Sequence, residues 1–307
     1  MYHNNKLSLT TGKLPYKLTN DYLFRAVFQA RPKALEGLCR SILHLSPSDT
    51  ISVTLKNPIE LGEAIEDKKF ILDLAVVINN SRFLNLEMQA YHDPDWINRS
   101  ISYTARSFDN LYRGQEYNQV LPVTHVGFLN YTLFPEYPEF FATYLLTNPK
   151  TKQIYSRNFT ISVVDLTQIE LATEEDNQNS IDLWARVFTA TTWEEINMLA
   201  QNNEYLQEVV SGVAQLSAEE KIRQRCEARE YFYARERHIN SRMEELEQQV
   251  ATLSEKAAAL AVFADKEIER IRKKIEAGKS LEQIAAELED EVENLRPLYD
   301  EIIAEKL

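Results

Sequence analysis

Two acids stand inside otherwise apolar runs of this chain: Asp73 in KFILDLAVVI (residues 69–78) and Glu87 in RFLNLEMQ (residues 82–89). Between them, Asn79-Asn80-Ser81 is turn chemistry, because asparagine tolerates the left-handed backbone region. The stretch 69–90 therefore predicts a β-hairpin. Side chains alternate along a strand, which puts Asn85, Glu87 and Gln89 on one face and Leu86 and Met88 on the other. A three-residue loop pairs Asp73 with Glu87, their Cβ atoms roughly 4.5–5.5 Å apart. Two carboxylates that close repel each other when buried. A divalent cation, which suits carboxylate oxygens, relieves the repulsion. The competing reading makes each acid a solvent-face or edge residue. Against it, Leu72, Leu74, Val76 and Val77 surround Asp73 with apolar side chains on both faces, as in a buried strand.

These residues resemble the core of the PD-(D/E)XK nuclease superfamily, and more closely its Rpn group of recombination-promoting nucleases, the PD-(D/E)XK family transposases. Members carry an acid in one strand and E-x-Q in the next; here these are Asp73 and Leu86-Glu87-Met88-Gln89. Asn20-Asp21-Tyr22-Leu23-Phe24-Arg25 resembles the group's N-terminal segment. Gly114-Gln115-Glu116-Tyr117, followed by Leu121-Pro122-Val123, resembles its G-x-x-Y and P-V stretch. The resemblance covers about residues 15–170. It implies an α/β fold, a restriction-endonuclease-like core with a mixed sheet, followed by an all-α C-terminal region. It also implies catalysis by Asp73, Glu87 and Gln89, Mg2+ or Mn2+ held by Asp73 and Glu87, and DNA as substrate. Gln89 departs from the superfamily pattern, which has lysine there. An amide orients by hydrogen bonding but carries no charge.

The remaining elements must position those residues. Thr19-Asn20-Asp21 is helix N-cap chemistry ahead of an apolar-periodic run. Asp21 has two readings, an N-cap or an additional acid of the site, with Glu36 a weaker candidate for the latter. Residues 51–55 predict a strand and residues 58–66 an irregular acidic connection. In the loop 91–95, His92 reads either as a base or metal ligand or as an exposed side chain. The next predicted helix, residues 96–112, carries Arg99, Tyr103 and Arg106 near one side, with Arg113 beyond. That row suits a phosphate backbone or a solvated face paired with Asp95 and Asp109. In the group, the corresponding helix directly follows the E-x-Q strand, which implies that Arg99, Tyr103 and Arg106 bind substrate. Residues 122–134, 140–146 and 158–166 predict further strands, about six in all.

The character changes after residue 170, giving expected domains at 1–170 and 171–307. Residues 171–180 read as an acidic linker, and no strand is predicted from 181 onward. Residues 218–264 predict a long charged helix whose Leu246, Val250, Leu253, Leu260 and Phe263 keep a partly heptad spacing. That suits a helical hairpin or short coiled coil, and a homodimer seam. Gly278-x-Ser280-x-x-x-Ile284-Ala285 resembles the first helix of a helix-turn-helix. The helix after it carries Glu289, Asp290, Glu291, Glu293, Asp300 and Glu301, which repel phosphate, so a packing or oligomerising module is expected.

The formal net charge of −13 excludes a non-specific basic coat for nucleic acid. It leaves room for a nuclease whose acids are neutralised locally by metal. Two distant cysteines, Cys39 and Cys226, without CxxC spacing, read as free thiols in a reducing compartment. No apolar run is long enough for a membrane span, and residues 1–13 lack the apolar core of a signal peptide. A cytoplasmic protein is expected. The leading reading is a Mg2+-dependent DNA endonuclease linked to recombination or mobile elements. The second is a catalytically inactive nuclease-like assembly or regulatory protein acting through its helical tail. A strand-transferring transposase fits less well, because no separate third acid and no basic end-binding domain are evident.

Overall fold

In a computed structural model of the chain, which describes residues 10–46, 48–56, 74–109, 111 and 115–304, six strands form one mixed sheet. They are β1 (Val53–Leu55), β2 (Leu74–Ile78), β3 (Arg82–Gln89), β4 (Val123–Leu129), β5 (Phe141–Thr147) and β6 (Ile154–Asp165). Their order is β1-β2-β3-β4-β6-β5. The central strands β3, β4 and β6 run parallel, and the outer pairs are antiparallel. The β2–β3 hairpin keeps the predicted register, Leu74 opposite Leu86 through Ile78 opposite Arg82. Asn79 and Asn80 turn it with φ of 50° and 53°. This left-handed pair matches the strand twist. Asp73, Arg113, Gly114 and the predicted 58–66 connection lie outside the described residues.

The packing divides into two units, Met1–Arg237 and His238–Leu307. In the first, one sheet face is covered by helices α1 (Asp21–Ala30) and α2 (Pro32–Ile42) and by α5 (Ile181–Thr189) and α7 (Glu204–Ala218). Leu84, Leu86, Met88, Val126, Phe128 and Val164 enter that core from the strands. Phe24 and Phe28, four apart on α1, meet Phe188 of α5 edge-on with ring centroids 5.5 and 6.1 Å away, and Phe128 of β4 closes the group. Gly37 lets α2 approach α7, since a Cβ there would lie 2.4 Å from the Cβ of Tyr205. Helices α5 and α7, both after residue 170, thus belong to the same core as the strands. The compositional shift at 170 marks the end of strands, not of the packed unit.

The predicted linker 171–180 instead contains a short helix, α4 (Glu174–Gln178). Thr173 and Asp176 cap it reciprocally, a box spacing the sequence carries in full. Thr192 and Glu195 do the same for α6 (Trp193–Ala200). Helix α8 (Glu220–Glu276) runs beyond the predicted end at 264, because Ile268, Ile271 and Ile275 continue an apolar face. In the second unit that face packs with α9 (Leu281–Leu288) and α10 (Val292–Ala304), burying Leu281, Ile284, Leu295 and Ile302. Among the described residues, no helix is long and apolar enough to cross a membrane.

Candidate active site on the second sheet face

The opposite sheet face is covered by helix α3 (Trp96–Phe108), which links β3 to its parallel neighbour β4. Alternation presents Asn85, Glu87 and Gln89 of β3 here, all buried. The parallel register sets Asn85 beside His125, Glu87 beside Gly127 and Gln89 beside Leu129. Gly127 makes room for Trp96: a Cβ there would lie 2.3 Å from Trp96 Cζ2. The first turn of α3 therefore sits directly on β4 next to Glu87.

Arg99, one turn along α3, ties this layer together. Its Nη2 donates to Glu87 Oε1 and, at 2.8 Å, to Gln89 Oε1, while Nη1 donates to Asp93 Oδ2. Asp93 is held in turn by the backbone N–H of Asp95, 2.9 Å from Oδ1. The fork geometry of a guanidinium suits this three-acceptor bridge, which a lysine would not reproduce.

Glu87 Oε2 faces the other way, toward β4, with His125 Nε2 3.4 Å from it. The contact is buried, His125 fully and Glu87 to 5% exposure. The other ring nitrogen, Nδ1, lies 3.0 Å from the Asn85 carboxamide nitrogen, Nδ2. The Trp96 and Tyr103 rings flank the imidazole at 6.1 and 6.3 Å between centroids. Burial pushes the Glu87 carboxyl upward, but the His125 imidazole and the Arg99 guanidinium outweigh it and hold the group below the usual carboxylate range. Burial pushes the nearby Tyr131 phenol up.

The structure thus brings together Glu87, Gln89 and Arg99, with Tyr103 beside His125. Arg106 stands exposed in the last turn of α3. Asp21 is directed elsewhere. Asn20 takes the N-cap, its Oδ1 accepting from the Leu23 N–H at 3.2 Å, and leaves Asp21 in the first turn of α1. The Asp21 carboxylate is gripped by Arg229 of α8 through both Nε, at 2.8 Å, and Nη2. Glu36 pairs with Arg40 at 2.9 Å. His92 is exposed and packs against the Tyr131 ring, 4.9 Å between centroids.

Sequence reasoning missed Asp93 and His125. His125 carried a usable signal, a polar residue inside the apolar run PVTHVGFL. Asp93 carried none beyond loop chemistry.

Among the described residues, no three His, Cys, Asp or Glu side chains converge to hold an ion. The buried Glu87 carboxylate, a hard oxygen donor, nonetheless suits a divalent cation. A family profile described as PD-(D/E)XK nuclease family transposase matches residues 18–242, which supports a nuclease-like function. No curated protein and no solved structure matches the chain.

Proposed function

Because the chain belongs to the PD-(D/E)XK nuclease family transposases, we propose that it is a metal-dependent DNA endonuclease, acting in the cytoplasm on DNA of mobile elements or in recombination. The burial of Glu87 as a charged carboxylate, with one oxygen tied to Arg99 and the other facing His125, is the observation that carries this function. Glu87 and Asp73 hold a Mg2+ or Mn2+ ion, Asp73 being assigned from its spacing in the sequence. When bound, the ion supplies Lewis-acid stabilisation of phosphate charge and activates water. Arg99 fixes the Glu87 and Gln89 side chains in one orientation. Gln89 orients water or a phosphate oxygen through its amide. Arg106 and Tyr103 follow Arg99 along α3 and contact the DNA backbone beside the metal.

The test is nicking of supercoiled plasmid by the parent and by Asp73→Ala, with Mg2+, Mn2+, Ca2+ or EDTA. The parent is expected to relax the plasmid with Mg2+ or Mn2+ only, and the variant to fold normally and cut nothing. Cleavage surviving in Asp73→Ala would sink the two-acid assignment. A parent inert with every ion would favour an inactive nuclease fold serving assembly.

That second reading has one observation of its own. On α8, Ile239, Met243, Leu246, Val250, Leu253, Ala257 and Leu260 alternate spacings of four and three. The six larger ones are 41–68% exposed. With Leu246, Leu253 and Leu260 at d and Val250 at a, the row suits a two-stranded parallel coiled coil. Arg242 then occupies a g position facing Glu247 at e of a second copy, an opposite-charge match. We assign this row to a homodimer, a partner compatible with either function. Light scattering is expected to give a dimer for the parent and a monomer for Leu246→Asp combined with Leu253→Asp. A monomeric parent would remove the homodimer.

A further inference from the structure

We propose that the β5–β6 hairpin is a second DNA-contacting element, with Lys150, Lys152 and Arg157 on backbone phosphates and the Tyr155 ring packed beside them. The inference rests on the proposed DNA endonuclease and adds a grip on the duplex away from Glu87.

Residues 140–164 hold no Asp or Glu, the longest such stretch in a chain whose formal net charge is −13, and they carry Lys150, Lys152 and Arg157. All three are exposed. Among the described residues none of them pairs with a carboxylate, whereas Arg31, Arg40, Arg186 and Arg229 all do. Three cations left unpaired on one hairpin complement a polyanion. Lysines on an edge hairpin also discourage strand addition. That role does not explain the apolar surface beside them, where Tyr155 is 87% exposed and Leu146 46%. Leu146, Pro149, Lys150 and Tyr155 line one open groove.

The tip is preformed. Asn148 Oδ1 accepts from the N–H groups of Lys150 and Thr151 at 2.9 and 3.3 Å, and the Asn148 carbonyl accepts from the Lys152 N–H at 2.9 Å. Lys152 has φ of 60°, a left-handed position that glycine adopts without strain. A charge is thus kept where the backbone would favour glycine, and the ordered turn loses little freedom on binding.

Helix α3 leads from the site to the hairpin. Glu87 lies beside Gly127 and Gly127 beside Val163. The helix starts over Gly127 at Trp96 and ends with Phe108 against Phe159 of β6, ring centroids 6.1 Å apart. It therefore carries Arg99 and Arg106 toward the hairpin. Tyr155 and Val163 share strand β6, about 25 Å apart at about 3.3 Å per residue. That span matches about seven base pairs of duplex.

The test is fluorescence anisotropy of a labelled DNA duplex with the full chain, in Ca2+, over a series of salt concentrations. One variant combines Lys150→Ala, Lys152→Ala and Arg157→Ala. A control combines Lys13→Ala, Lys17→Ala and Lys221→Ala, removing the same charge from other exposed positions. The hairpin variant is expected to bind at least about tenfold more weakly near physiological salt, and its slope of log affinity against log salt to flatten by about 2–3, close to 0.9 for each lost phosphate contact. The control should stay within about threefold of the parent with its slope unchanged. Tyr155→Ala, which removes no charge, should weaken binding at least about threefold at an unchanged slope. A parent-like slope in the hairpin variant, or an equal loss in the control, would overturn the proposal. So would a parent that binds no duplex. Plasmid nicking run in parallel separates the two claims. Nicking by the parent, with a hairpin variant that binds as the parent does, leaves the nuclease standing and removes the hairpin. A flattened slope in the variant, with no nicking by the parent under any ion, does the reverse.

Discussion

Glu87→Gln is expected to lower cleavage at least a hundredfold while leaving a folded protein. The substitution keeps shape and removes one charge. Loss of one preorganised electrostatic group typically costs about 10²–10³ in rate, and under the proposed function it also removes a cation ligand. The stability change should be smaller than for a sealed ion pair. Arg99 is 28% exposed in its side chain and keeps Asp93 as a second anion. A loss of about 1–3 kcal/mol near neutral pH is expected, the range for hydrogen bonds to charged groups. Its pH dependence has a definite sign. Folding lowers the Glu87 pKa, so the unfolded chain binds more protons here than the folded one. The stabilisation is complete above the unfolded carboxylate range and disappears as pH falls through the depressed folded value. Denaturant curves of parent and variant should therefore converge on acidification below about pH 4. A gap that widened toward acid would show that Glu87 is not held ionised by Arg99 and His125.

Gly127→Ala is expected to damage both fold and site. The added methyl would sit 2.3 Å from Trp96 Cζ2, far inside van der Waals contact. Trp96 is 2% exposed, so its ring can yield only by displacing its neighbours. Overpacking of this kind costs about 1–3 kcal/mol. The displaced element is the first turn of α3, so Arg99 should lose its shared grip on Glu87 and Gln89. Urea unfolding should show the stability loss, and nicking should fall with it. A midpoint within error of the parent would mean that Trp96 does not rest on Gly127.

The hairpin carrying Glu87 was legible because its information is local. Asn79 and Asn80 accept positive φ, the strands alternate with period two, and the loop length fixes the register. Arg99 was legible for the same reason, lying one loop and one helical turn beyond Gln89. The β3–β4 pairing was not. It is parallel and joins residues about forty positions apart, and nothing in local periodicity specifies that Asn85 meets His125. The partner of Asp21 lay further still, since Arg229 is 208 residues along the chain. With the partner unseen, an acid at the start of a helix had only capping to suggest. The end of the packed unit was hidden similarly. The Phe188 and Tyr205 contacts to α1, α2 and β4 are tertiary, whereas composition registers only where strands give way to helices.

The parallel crossover also orders the assembly of the site during folding. The β2–β3 hairpin closes through three residues and can form within about 1–10 μs. Until α3 and β4 arrive, the Glu87 carboxylate on that hairpin remains hydrated. Crossover closure is non-local and slower. The same crossover carries Arg99, Trp96 and His125, so the desolvation of Glu87 and the arrival of its counter-charge are expected to coincide. The step that buries the acid is thus the step that makes burying it tolerable, and no intermediate along this route has to carry a lone charge in the core.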